Sequence, residues 1–230
     1  MSTIASIAID FMRRGGKRLR PRLCQAVYAV CGGRGDISSV TEAVECFHKA
    51  SLIHDDIQDG DEERYGRPTV WKEHGVAVAI AVGDWLVARG YQLVLNAECG
   101  VRSAAVAGQM LAVTVDSHLR LCEGQGDDLL NPSVNPLTDG GVFDENAYLS
   151  VCERKTGEAF ALAAQLGALA AGADDAPYRE FGLAYGVCFQ IKDDLADGAP
   201  RELLEPLYQH QLSRLTAMKG ATAIMQLLTS

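Results

Sequence analysis

Apolar positions along this chain recur at helical intervals and rarely alternate, and clusters of β-branched residues are few, so the pattern predicts an all-α fold. In "RPRLCQAVYAVCGG", Pro21 stands near a helix start and Gly32-Gly33 supplies the stop. The next helix is expected to enter at "SVTE", where Ser39 and Glu42 have capping-box spacing. It runs through "AVECFHKASLIHDDIQD" and stops at Gly60. Further helices are expected over about 75–96, 101–123, 145–171, 177–197 and 202–228. Between them, "GQGDDLLNPSVNPLTDGGVFDEN" carries Pro132, Pro136 and Gly140-Gly141 and reads as a long loop, of the kind that is functional or mobile.

Composition narrows the class. The 230 residues are 48% apolar, enough to enclose a core, and read as one domain over 1–230. Seven cysteines, odd in number and never spaced C-x-x-C, argue for reduced thiols in a cytoplasmic protein rather than a disulfide framework or zinc site. The first residues, "MSTIASIAIDFMRRGG", lack the pattern of a secretory signal. The most membrane-like run, "VAVAIAVGDWLVARGYQLVL", is interrupted by Asp84 and Arg89 and reads as a buried helix, so no transmembrane segment is expected. A net charge of −9 disfavours nucleic acid as a partner, because a phosphate backbone demands a basic face.

The acids are the first chemical signal. Asp55, Asp56 and Asp59 fall at i, i+1 and i+4 near the end of a predicted helix, so Asp55 and Asp59 stack one turn apart with Asp56 beside them. Carboxylates near a helix C-terminus are opposed by the macrodipole and by one another. One such cluster alone is readily a solvated turn. A second, "DDLAD" at Asp193, Asp194 and Asp197, also ends a predicted helix, and the two could meet at one end of a helix bundle, where such folds build metal sites. Carboxylate-only ligands favour hard cations, and Mg²⁺ prefers one or two carboxylates with waters and substrate phosphates.

Cations suited to phosphate oxygens accompany the acids. Lys17 and Arg20 lie in "RRGGKRLRPR", Arg64 follows the first acidic turn, and Lys155 and Thr156 occur in "ERKTGEAF". The segments "GGKRLRP", "FHKASLIHDDIQD" with Arg64, "GQGDDL", "RKTG" and "FQIKDDLAD" together resemble the trans-isoprenyl diphosphate synthases, the polyprenyl synthetase family. The resemblance implies an isoprenoid-synthase-type helical bundle around a deep apolar cavity, usually a homodimer. Three Mg²⁺ ions would hold an allylic prenyl diphosphate between the two aspartate motifs.

By the same resemblance, Asp55, Asp59 and Asp193 are the direct magnesium ligands, with Asp56, Asp194 and Asp197 as nearby or water-mediated partners in catalysis. Arg64, Lys155, Thr156 and Gln190 would hold the allylic substrate, and Lys17, Arg20 and His48 the isopentenyl diphosphate. His54 is read as structural. The implied activity is condensation of the two diphosphates. Small Ala50 and Ser51 followed by Phe47, two turns before Asp55, suggest a trans-prenyl product of C15 to C25, each turn advancing about 5.4 Å.

Two departures stand out. Where the family carries adjacent arginines this chain has Arg64-Tyr65, and tyrosine lacks a fixed charge, although Arg67 follows two residues on. The usual Gly-Lys segment after the second motif is replaced by "GAPRELLEPLYQHQ". Two alternatives therefore accompany the prenyltransferase reading: a terpene-synthase-like lyase acting on a single prenyl diphosphate, and a noncatalytic subunit of a heteromeric prenyltransferase.

Overall fold

The computed structural model describes residues 2–97, 104–130 and 143–229. The chain is an all-α assembly. Helix α1 (Ile4–Arg13) leads through a glycine turn to α2 (Leu19–Val30) and then to α3 (Ser38–Asp59), which carries the first acidic cluster. A two-residue hairpin, β1 (Glu63–Arg64) and β2 (Arg67–Pro68), joins it to α4 (Val70–His74) and α5 (Val76–Leu95). Next come α6 (Ala104–Leu130), α7 (Glu145–Cys152), a π-helical turn (Glu153–Gly157) and α8 (Glu158–Ala170). The described chain closes with α9 (Ala176–Ala196), α10 (Arg201–Ala217) and α11 (Ala221–Thr229).

Every residue of α8 but the half-buried Ala159 is buried, in keeping with the all-round apolar sequence "EAFALAAQLGALA" of an enclosed helix. It packs on α2 and α9, and the α2 contact is close. A Cβ on Gly167 would lie 2.3 Å from the Cys24 carbonyl oxygen, so glycine alone lets the two backbones approach. Helices α3 and α5 form the other main pair, with Phe11, Ile53, Val82, Leu86 and Leu166 among the fully buried side chains of that cluster. Helix α5 is long and apolar enough to cross a membrane by length and composition, and here it packs against α1, α3, α4 and α6.

Several boundaries differ from the sequence expectation. Ser39 and Glu42 do not cap α3: the helix begins at Ser38, whose backbone N–H and hydroxyl donate to the Asp36 carboxylate at 2.7 and 2.8 Å. An acidic residue just ahead of the helix thus supplies the acceptor that Ser39 was expected to provide. Helix α6 continues through "GQGDDLL" to Leu130, seven residues past its expected end. Its last turns are tied across to α3 by Gln125 donating to Gln58 at 2.9 Å, and to Arg154 by an ion pair from Asp127. The remainder of the predicted loop, 131–142, lies outside the described residues. The expected helix over 202–228 is two helices, divided where Gly220 adopts φ +78°.

Candidate active site

The stacked acids sit where the 3.6-residue repeat puts them. Asp55 is half-buried and Asp59 exposed on one stripe of α3, and the exposed Ser51 lies on the same stripe one turn earlier. Burial, and then repulsion from Asp59, push the Asp55 carboxyl up to about 6 against the pull of Lys155 and Arg64. Asp56 turns inward instead. It is 1% exposed and accepts from Arg64 Nε, which leaves its Oδ2 buried without a partner. Arg64 also donates to Asp61 at 3.3 Å, so two carboxylates hold this cation at the mouth of the first motif.

The second motif is linked to the first through the π turn. Lys155, exposed on that turn, acts on Asp55, while the adjacent Thr156 hydroxyl donates to Gln190 Oε1 at 2.6 Å. Gln190 Nε2 donates in turn to Asp194 Oδ1 at 2.9 Å, one turn further along α9. The other oxygen of Asp194 accepts from the Tyr148 hydroxyl at 2.5 Å. Both oxygens of Asp194 are therefore engaged by the protein, whereas Asp193 and Asp197 are exposed on the same helix end. Thr156 and Gln190 hold each other and Asp194, a positioning chain that spacing alone did not suggest. Tyr148, on α7 two turns before Thr156, is a member that the sequence reading missed.

The start of α2 and α3 meet at a third point. Arg20 lies over the Phe160 ring at 4.4 Å and donates from Nη1 to His48 Nε2 at 3.3 Å. Burial, reinforced by Arg20, Lys49 and Arg64, pushes His48 down to about 2, so the imidazole is neutral and accepts this hydrogen bond. The Arg20 guanidinium, held near 10 by the same burial, stays charged, and its Nε is buried without a partner. Lys17, three positions earlier in the chain, is exposed. Arg67 does not join them; it lies 3.5 Å from Asp10 of α1. His54 packs against Gly83 and lies 3.7 Å from Asp84, in keeping with a structural role.

Down the α3 stripe, away from the acids, accessibility falls to 9% at Phe47. Its ring fits against Gly90 and meets Tyr91 and His118 edge-on at centroid distances of 5.4 and 4.4 Å. The Tyr91 hydroxyl and His118 Nδ1 are hydrogen-bonded at 2.7 Å, and burial lowers the His118 pKa to about 4. Three helices thus close the stripe with aromatic rings. Tyr91 and His118 were not legible as partners of Phe47, because they lie on α5 and α6, far away in sequence.

The assembly is an all-α bundle with two acidic helix ends, the first attracted by Lys155 and the second held through Thr156 and Gln190. The Polyprenyl synthetase family profile matches residues 1–202, and the chain belongs to that family. A geranylgeranyl diphosphate synthase from Mycobacterium tuberculosis is 40% identical over 184 residues, covering 78% of this chain and 50% of the relative. Among solved structures, a geranylgeranyl pyrophosphate synthase crystal structure superimposes with TM-score 0.73 at 31% identity, over 84% of this chain and 57% of that one. The geranyltransferase from Helicobacter pylori complexed with magnesium and isoprenyl diphosphate gives TM-score 0.79 at 21% identity, covering 100% and 86%, and so shares the fold. The chain spans about half the length of the curated relatives it matches.

Proposed function

We propose that residues 1–230 act as one magnesium-dependent trans-prenyltransferase unit that condenses isopentenyl diphosphate with an allylic diphosphate to give a C15 to C25 product. The observation that carries this reading is the link between motifs: Lys155 acts on Asp55 while Thr156, its neighbour, holds Gln190 against Asp194. Among the described residues no three His, Cys, Asp or Glu side chains enclose an ion by themselves. Mg²⁺ takes few carboxylates and completes its shell with water and phosphate oxygens, so the acids need not enclose it alone. The like-charged Asp55–Asp59 pair, with Asp55 raised in pKa, is the kind of anionic surplus that a hard cation relieves.

Asp55, Asp59 and Asp193 would hold the magnesium, as three ions in the family manner. When bound, it supplies neutralisation of the charge that grows on the departing diphosphate. Lys155 and Arg64 add fixed positive charge to the same leaving group. Asp194, locked by Tyr148 and Gln190, keeps the end of α9 in register so that Asp193 faces the substrate. Lys17 and Arg20 grip isopentenyl diphosphate, and neutral His48 aims Arg20 by accepting its Nη1 hydrogen. With both substrates held, the allylic carbon–oxygen bond breaks, the isopentenyl double bond forms the new carbon–carbon bond, and the released diphosphate takes the final proton. The apolar stripe below Asp55 excludes water from the allylic cation.

Apolar side chains exposed on α5 and α6, such as Ile80 at 46% and Leu119 at 59%, support a homodimer. Free thiols at Cys31, Cys46, Cys122, Cys152 and Cys188 support a cytoplasmic setting. The test is incubation with Mg²⁺ and dimethylallyl, geranyl or farnesyl diphosphate, with and without isopentenyl diphosphate. Extension is expected only with both substrates. Hydrocarbon or alcohol from the allylic substrate alone would replace this reading with a lyase, and turnover only on adding a second subunit would replace it with a regulatory one. Asp55→Ala is expected to lower turnover by about a thousandfold or more while circular dichroism stays unchanged.

A further inference from the structure

Helix α3 carries a buried cation that the two aspartate motifs do not use. Lys49 is 0% exposed, and its ammonium donates to the backbone carbonyls of Arg14 at 2.5 Å and Gly15 at 3.0 Å. The same group lies 4.5 Å from the centre of the Tyr65 ring and 5.4 Å from that of Phe11. Glu45, one turn back on α3, attracts it, yet burial still draws the ammonium's pKa below the ordinary lysine value. Burying an ammonium is expensive, and neutral donors could satisfy two carbonyls at lower cost. A structural tie alone does not account for a charge here.

The carbonyls it holds belong to the turn that presents Lys17 and Arg20. Gly15 and Gly16 adopt φ +24° and +103°, and Tyr65 lies flat along them. A Cβ on Gly15 would be 2.7 Å from the tyrosine ring, and one on Gly16 would be 3.3 Å from its hydroxyl and 3.7 Å from Lys49 Nζ. Tyr65 itself has φ +56°, followed by Gly66 at +70°, the pairing of a type I′ hairpin turn in which a bulky first residue is unusual. A strained backbone that persists points to a compensating contact, and the ring's seat between the glycine turn and the ammonium is that contact.

We propose that Lys49 is a positioning residue for the diphosphate subsite of Lys17 and Arg20, pinning the Arg14–Lys17 turn from below and setting a positive charge beneath the Tyr65 ring. The charge that an arginine at position 65 would bring from the hairpin comes instead from α3, one layer deeper. This rests on the assignment of Lys17 and Arg20 to isopentenyl diphosphate made above.

Calorimetric titration of isopentenyl diphosphate, with steady-state KM for both substrates, tests it on the wild type, Lys49→Met, Lys49→Arg and the double variant Lys49→Met/Tyr65→Arg. Lys49→Met is expected to weaken isopentenyl diphosphate about tenfold and to leave the allylic KM within about twofold. Lys49→Arg should stay within about threefold of wild type, and the double variant should recover most of the loss, because it restores a cation without restoring the lysine. Unchanged affinity in Lys49→Met, equal weakening of both substrates, or a double variant no better than Lys49→Met would each overturn the proposal. Should Lys49→Met fail to fold, Lys49→Gln, which keeps an amide donor but no charge, takes its place in every comparison. Wild-type protein that binds isopentenyl diphosphate without extending any allylic substrate would refute the prenyltransferase reading while the calorimetric comparison still decides the role of Lys49. Wild-type protein that binds none would refute both.

Discussion

Asp194 shows how neighbouring residues of one motif acquire different tasks. Adjacent aspartates on a helix point about 100° apart, so Asp193 and Asp194 cannot share an environment. Tyr148 and Gln190 take both oxygens of Asp194, while Asp193 stays exposed. Removing the Tyr148 hydroxyl strips a buried donor from a charged acceptor, a loss of about 1.5–3 kcal/mol. Tyr148→Phe is therefore expected to lower kcat about tenfold and to reduce the melting temperature, read by steady-state kinetics and thermal denaturation. The motif made Asp194 legible in the sequence. Its partner was not, because Tyr148 belongs to another helix and nothing in "ENAYLSVC" distinguishes a tyrosine that reaches a carboxylate from one that fills a core. Lys49 was missed for a related reason: a lysine between His48 and Ala50 looks solvated until the turn at Gly15 is seen folded over it.

Helices were legible where periodicity and glycine stops agreed, as at both ends of α2 and at the Gly60 end of α3. They were misjudged where contacts between elements decided. The stretch from Gly124 reads in the sequence as loop, yet α6 runs on through it to Leu130, with Gln125 tied to α3 and Asp127 to Arg154. The expected helix over 145–171 is interrupted by the π turn at Glu153–Gly157, which widens the coil at Lys155 and Thr156. Glycine can also mark a crossing rather than a stop. Gly167 lies inside α8, and a methyl group there would meet the Cys24 carbonyl at 2.3 Å. Gly167→Ala is expected to cost about 1–3 kcal/mol through displacement of α2, despite its better helix propensity, and urea denaturation would show the midpoint falling rather than rising.

For the molecule as a whole, the proposed function ties product length to the point where three helices close the α3 stripe. Phe47 stands two turns before Asp55, and the rings of Tyr91 and His118 brace it from α5 and α6. Phe47→Ala removes the ring that ends the accessible stripe. The variant is expected to shift the main product upward by at least one five-carbon unit, resolved by chromatography of the dephosphorylated alcohols. The all-α class, the two acidic helix ends and the family are legible in local spacing alone: a 3.6-residue repeat, aspartates one turn apart, cations beside glycines. Packing settles which carboxylate is locked and which is exposed, which rings brace Phe47, and which cation lies beneath Tyr65. Those depend on burial and on contacts between residues distant along the chain, and the desolvation that sets them exists only once the helices have packed.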